Sequence, residues 1–271
     1  MRSRFVGNKG VSLIELVVTL LISSILIAAM YTLLLSQQTT YAKQDQAVEL
    51  QQMMRAGIDR MSRDLRMAGY GGDLLTVFGN VNGFSSIITP GNGAQADSIT
   101  VLLSEQVATL TQNSASGSNQ VFLSVGNAGD FFDTSTKRYL CLNGQNNYLV
   151  QSVSGNRVTL GTFLQEDHLT NEPVFQVKAV SYKIQPNTTH LVRDENAGAG
   201  DQLLAENIEN LQFQYTLSNG TVVDSPTTPS DIRIISITLA GRTAIADSKG
   251  AGDGYRRQTL SASVEVRNLA L

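Results

Sequence analysis

The chain has 271 residues, of which 42% are hydrophobic and 16% charged, with a net charge of −3 and a pI near 5.4. This length sets an expectation of one or two domains, and the composition excludes a highly charged, disordered tail protein. The acidic balance lacks the basic footprint that phosphate backbones require, so no direct nucleic-acid partner is expected.

The first predicted element is membrane-sized. Leu16 to Leu35 is a 20-residue stretch without a charge, about enough at 1.5 Å per residue to cross a ~30 Å hydrocarbon core. Thr19, Ser23, Ser24, Tyr31 and Thr32 interrupt it, with hydroxyls expected to bond back to the helix backbone. The preceding Met1 to Gly10 carries Arg2, Arg4 and Lys9 and no acid. The positive-inside rule then keeps that end in the cytoplasm and exports the chain beyond Leu35. Such a run is too long for an ordinary secretory signal, and it is not succeeded by a small-residue cleavage site. Glu15 breaks the pattern: it stands among Leu13, Ile14 and Leu16. There a carboxylate costs on the order of 2.5–3.5 kcal/mol unless it lies near the interface or finds a partner.

The string Lys9-Gly10-Val11-Ser12-Leu13-Ile14-Glu15-Leu16 resembles the type IV prepilin processing motif. The resemblance implies a cytoplasmic cut between Gly10 and Val11 by a prepilin peptidase, which also N-methylates the new terminus. It implies too that Glu15 is the family's signature acid, used in assembly. Val11 stands where the family usually has Phe, and no proline precedes Pro90, so an unbroken helix is expected. The physics agrees with the motif: a glycine lets a peptidase approach the scissile bond closely. The freed amine and a neighbour's Glu15 would each offset the other's desolvation in a low-dielectric filament core.

The helix is predicted to run from Val11 to Ala68. Ala47, Leu50, Met54, Ile58, Met61, Leu65 and Ala68 fall three or four apart on one face. The other face holds Lys43, Asp45, Glu49, Arg55, Asp59, Arg60, Arg63, Asp64 and Arg66, with opposite charges at helical spacing in Asp59–Arg63 and Arg60–Asp64. Arg55, Arg60, Arg63 and Arg66 admit two readings: a solvated face with intrahelical pairs, or a basic docking face. Gly69, Gly71 and Gly72 end the helix.

Downstream, strands are predicted at Ser98–Leu103, Gln120–Val125, Tyr139–Leu142, Tyr148–Val153, Arg157–Leu160, Phe175–Ile184, His190–Arg193, Leu211–Leu217, Ile232–Ala240 and Leu260–Val266. Leu211, Phe213, Tyr215 and Leu217 alternate with polar residues, as a half-buried strand requires, and Ser154-Gly155-Asn156 reads as a hairpin turn. Residues 91–96, 112–119 and 197–200 read as loops. Met67 to Thr136 contains no Lys or Arg yet has Asp73, Asp97, Glu105, Asp130 and Asp133; this is either a solubilising surface or a face for a basic partner.

Catalytic material is sparse. A single cysteine, Cys141, excludes an intrachain disulfide, and it sits in an apolar strand as a buried, inert thiol would. His168 and His190 are the only histidines and lie in no nucleophile motif. Glu166-Asp167-His168 reads as a polar loop rather than a metal cluster. Asp247, Gly250, Gly252, Asp253 and Gly254 offer oxygen ligands without EF-hand spacing. No phosphate-binding or dinucleotide fingerprint occurs, so no enzyme activity, cofactor or metal is expected.

The head carries further strings similar to PilW-type minor pilins: Arg66 to Gly72, Tyr182 to Arg193, Leu204 to Tyr215 and Val264 to Asn268. The type II secretion pseudopilin J family shares them and is the alternative. The expected fold class is therefore α+β, type IV pilin-like, with a long N-terminal helix packed on an antiparallel β-sheet head. The parts are a leader (1–10), a membrane or filament-core helix (11–35), an amphipathic continuation (36–68) and a β-rich head (69–271). The resemblance implies a non-catalytic minor pilin that primes or caps a pilus tip. Its partners would be the prepilin peptidase, other minor pilins, the major pilin, the inner-membrane assembly platform and a tip adhesin. A membrane-anchored periplasmic binding module is the remaining reading.

Overall fold

The computed structural model describes residues 12–247 and 252–269. Helix α1, Leu13–Arg66, runs 54 residues without a break. No proline interrupts its hydrogen-bond ladder. Three of the five hydroxyls expected to bond back do so: Thr19, Ser24 and Thr32 donate to the carbonyls of Leu16, Leu21 and Ala29 at 2.9, 2.7 and 2.8 Å. Two compact units are delimited, Met1–Val48 and Glu49–Leu271. In the first, the described apolar side chains from Leu13 to Leu35 are exposed, and α1 is the one helix among the described residues long and apolar enough to cross a membrane.

In the second unit, α1 ends at Arg66, and Gly69, with φ +76°, turns the chain away. A short helix α2, Leu74–Phe78, comes next, capped by Asp73. The strands are β1 (Ile88–Gly91), β2 (Ser98–Thr109), β3 (Gln120–Phe122), β4 (Tyr139–Leu142), β5 (Asn146–Ser154), β6 (Arg157–Leu160), β7 (Pro173–Ile184), β8 (Leu191–Asp194), β9 (Gln202–Ala205), β10 (Ile208–Leu217), β11 (Val222–Val223), β12 (Ile232–Arg242) and β13 (Arg257–Glu265). All ten predicted strands are present: six are longer than predicted by two to six residues, β4 and β6 match, β8 is shifted by one residue, and β3 is shorter, ending at Phe122. Every pairing is antiparallel. A nine-stranded sheet runs β1-β2-β7-β4-β5-β6-β3, with β8 beside β7 and β9 beside β8; a four-stranded sheet runs β11-β10-β12-β13.

The helical face predicted from spacing is the buried one. Leu50, Met54, Ile58, Met61, Leu65 and Ala68 form one cluster with Val101, Val180, Tyr182 and Leu191 of the larger sheet and Leu211, Phe213, Ile235, Ile237 and Leu239 of the smaller. The main core of the head thus lies between α1 and residues of both sheets. A second cluster closes the β3–β6 lobe around Phe132 and Tyr148, and a third packs α2 against Tyr139 and Phe175.

Asp64 departs from the expected solvated face: it is only 7% exposed and belongs to the buried side. Arg60 pairs with it as the spacing suggested, at 3.5 Å. Asp59 and Arg63 do not pair through their side chains; Arg63 Nε donates instead to the Asp59 carbonyl at 3.4 Å.

Candidate functional site

Of the residues singled out for processing and assembly, Gly10 and Val11 lie outside the described residues. Glu15 lies in the first turn of α1. Its Oε2 accepts the Ser12 backbone N–H at 3.1 Å, while Ser12 Oγ accepts the Ile14 N–H at 3.3 Å. This is a capping box, Ser-x-x-Glu, in which each side chain satisfies a backbone donor that the helix start leaves open. The carboxylate also sits at the positive end of the helix dipole. Glu15 is thus partly satisfied within its own chain, which lowers the cost of an acid in an apolar segment.

The head holds a second polar constellation that the sequence did not announce. Asp64 Oδ2 accepts the Tyr182 hydroxyl at 2.6 Å and Arg193 Nε at 3.0 Å. Arg193 Nη1 reaches Glu195 at 2.6 Å, and Lys178 Nζ donates to Glu195 at 2.8 Å and also meets Glu105. The chain of charges therefore crosses from α1 through β8 and β7 to β2. Burial and the neighbouring Asp64 carboxylate push the Tyr182 hydroxyl well above its ordinary value. Burial opposes the charge on Glu195, but hydrogen bonds from Lys178 and Arg193 outweigh it and hold the carboxyl below the usual range. With the acids and bases locked against each other, the network is a clasp rather than a reaction centre. Its signal in the sequence was indirect: Tyr182 and Arg193 bound one of the pilin-like strings.

Two of the other strings, 66–72 and 264–268, meet at the end of α1, where neighbouring residues also tie down the turn. Ser104 Oγ donates to the Tyr70 carbonyl at 2.5 Å, Asn147 Nδ2 to Gly71 O at 2.8 Å and Asn268 Nδ2 to Ala68 O at 3.2 Å. Gly71 has φ +125°, and a Cβ there would stand 2.6 Å from Ser104 Oγ. A cleft of about 670 Å³ opens beside this turn, lined in part by Tyr70, Leu74, Ile87, Gln145 and Leu269. Its one acid, Asp73, is occupied capping α2.

The candidate catalytic and ligand residues scatter. Cys141 is buried in β4, and burial pushes its thiol up to about 12. His168 is 1% exposed and hydrogen-bonds Glu172 at 2.7 Å, whereas Glu166 turns to Asn146 and Asp167 accepts the Ser116 N–H at 2.7 Å. The three neighbours in sequence thus point to three different partners. His190 precedes β8, its N–H donating to Thr188 Oγ1 at 3.1 Å. Asp253 turns both carboxylate oxygens to Arg257, which lowers its pKa to about 2. Gly250 lies outside the described residues. Among the described residues no group of three or more His, Cys, Asp or Glu side chains is placed to hold a metal.

The acids of the Lys- and Arg-free segment are turned to local bonding. Asp97 accepts N–H groups from Gly93 and Phe213 at 3.1 and 2.9 Å, and Asp133 those of Ser135 and Lys137 at 2.8 and 2.7 Å. Asp130 accepts from Asn127 at 3.1 Å, and Glu105 pairs with Lys178.

The chain matches the family model described as the prokaryotic N-terminal methylation motif over residues 7–31. No curated protein matches the chain. Among solved structures, the type IV-like pilin TTHA1219 from Thermus thermophilus aligns at 10% identity and a TM-score of 0.42, covering 81% of this chain and 98% of that one. That score is too low for a shared topology to be read from it.

Proposed function

Proceeding from the methylation motif over residues 7–31, we propose that the chain is a minor subunit of a type IV pilus that primes or caps assembly at the filament tip. The observation that carries this reading is the placement of Gly10, Val11 and Glu15 within that motif. Residues 1–10 are a leader. A prepilin peptidase hydrolyses the Gly10–Val11 bond on the cytoplasmic side and N-methylates the new Val11 amine. Residues 11–35 hold the subunit in the inner membrane until it enters the filament core. The head is exported, and the pilus then serves twitching motility, adhesion or DNA uptake.

In assembly, Glu15 exchanges its Ser12 contact for the Val11 amine of an adjoining subunit. The pairing offsets the desolvation of both charges, which neither could bear alone in the filament core. Head residues play no catalytic part: the buried clasp and the tied-down turn preserve a rigid shape for contact with other pilins and the assembly platform.

The intact mass of the chain purified from wild-type cells tests this. A mature chain beginning at N-methyl-Val11 is expected; a chain that keeps residues 1–10 would mark a plain membrane anchor and overturn the reading. A deletion strain scored for surface pili and for protein secretion separates the pilus from the secretion pseudopilus: loss of pili with secretion intact is the expected outcome.

A further inference from the structure

Among the described residues, strand β13 is the outer strand of the smaller sheet and pairs only with β12. Its nine pairs run without a register shift from Ile234↔Glu265 to Arg242↔Arg257. At one end Val266 N–H donates to the Arg233 carbonyl, and beyond the other Thr243 N–H donates to the Arg256 carbonyl, both at 2.9 Å. Antiparallel pairing alternates. Even-numbered residues of β13 therefore turn their backbone groups to β12, and Arg257, Thr259, Ser261, Ser263 and Glu265 turn theirs outward.

Native edges are blunted by proline, lysine, bulges or shortness. Other edges of this head obey that rule: β1 contains Pro90, while β3 and β11 have three and two residues. Strand β13 has nine residues with no proline, lysine or bulge, and its interior from Gln258 to Val264 carries no charge.

Beside this edge lies a groove of about 490 Å³, walled by Ile58, Asp59, Ser62, Arg63 and Arg66 of α1 and by Ala262 and Ser263. Arg63 and Arg66 are exposed, and the described structure gives neither a carboxylate partner. A strand added to β13 would lie about 4.8 Å further out. Its inward side chains, on the face that holds Leu260 and Ala262, would fall into this groove beneath the two guanidiniums.

We infer that the β13 edge and the Arg63/Arg66 groove form a strand-addition site for an extended segment of a partner protein that carries a carboxylate on its inward face. Outward main-chain groups supply affinity, and the two arginines, without a carboxylate partner among the described residues, select the charge. The docking-face alternative for these arginines is thereby given a location and an occupant. The inference does not depend on N-terminal processing: an uncut chain would present the same edge.

The test uses the full chain in detergent micelles and a fluorescent nine-residue peptide of alternating valine and threonine, with one glutamate in the valine register, beside its lysine twin. Anisotropy should show binding of the glutamate peptide and about tenfold weaker binding of the lysine peptide, a difference near 1.4 kcal/mol. Arg63→Glu with Arg66→Glu should reverse that preference. Ser261→Pro removes an outward N–H without touching the β12 ladder and should abolish binding of both peptides with the melting temperature retained; if this variant unfolds, the charge reversal decides. Absent or equal binding of the two peptides, an unreversed preference, or binding that survives in a folded Ser261→Pro chain would overturn the site. A homodimer lost on Ser261→Pro would assign the edge to a second copy and overturn the acidic partner.

Discussion

At the scale of single residues, Glu15 has one observed contact and one proposed role that substitution can separate. Its carboxylate closes the capping box with Ser12, and in the proposed filament it meets an amine. A glutamine keeps an acceptor for the Ser12 N–H but loses the charge. Glu15→Gln and Glu15→Ala are both expected to be cleaved normally yet to be missing from sheared filaments. Recovery of the glutamine variant in filaments would show that capping, not charge, is what assembly requires.

Asp64 makes a stronger demand. Its removal leaves Arg193, 3% exposed, and the Tyr182 hydroxyl without their shared acceptor. Breaking a buried pair from one side costs about 3–5 kcal/mol. For a unit of this size that amounts to a fall in melting temperature of roughly 6–20 °C in Asp64→Ala, measurable by differential scanning calorimetry. Glu195 adds a pH dependence. Because its folded pKa lies below the ordinary carboxylate value, its contribution is full above that value and is lost as pH falls through the depressed one. Wild type should therefore exceed Glu195→Gln in melting temperature at neutral pH, with the gap closing as the solution is acidified.

At the scale of elements, the turn after α1 shows how close approach selects glycine. Gly71→Ala would combine a left-handed φ with a clash on Ser104 Oγ, whereas Gly83, at φ +91°, has open space around the same position. A strained backbone costs on the order of 1–3 kcal/mol at both positions, and the clash adds to it only at Gly71, so thermal melts should show Gly71→Ala lowered clearly more than Gly83→Ala. The elements most legible in the sequence were those with a period: the Leu50-to-Ala68 stripe and strands such as β10 and β12, which alternate from Leu211 to Tyr215 and from Ile235 to Gly241. Those missed were short, loop-like in spelling, or both. Strand β1 is spelled Ile-Thr-Pro-Gly, which reads as a loop; β9 has four residues and β11 two; α2 has five. The Asp64 clasp was illegible for a different reason. It joins residues 118 and 129 positions apart, and a buried acid on a helix is indistinguishable by spacing from an exposed one until its partners are placed. The Ser12–Glu15 capping box was the reverse case, since a contiguous four-residue string contains both of its partners.

On the scale of the whole molecule, one cysteine serves the entire chain, enclosed in β4 with its thiol held near 12. Maleimide should leave it unlabelled in the native protein and label it once in denaturant; rapid native labelling would show that β4 opens. The head is thus held by its cores, its clasp and its hydrogen-bonded turns, with no crosslink to form. The proposed export would therefore call for no oxidising catalyst, and the same head should fold as readily in reducing cytosol as in a periplasm stripped of disulfide-forming enzymes.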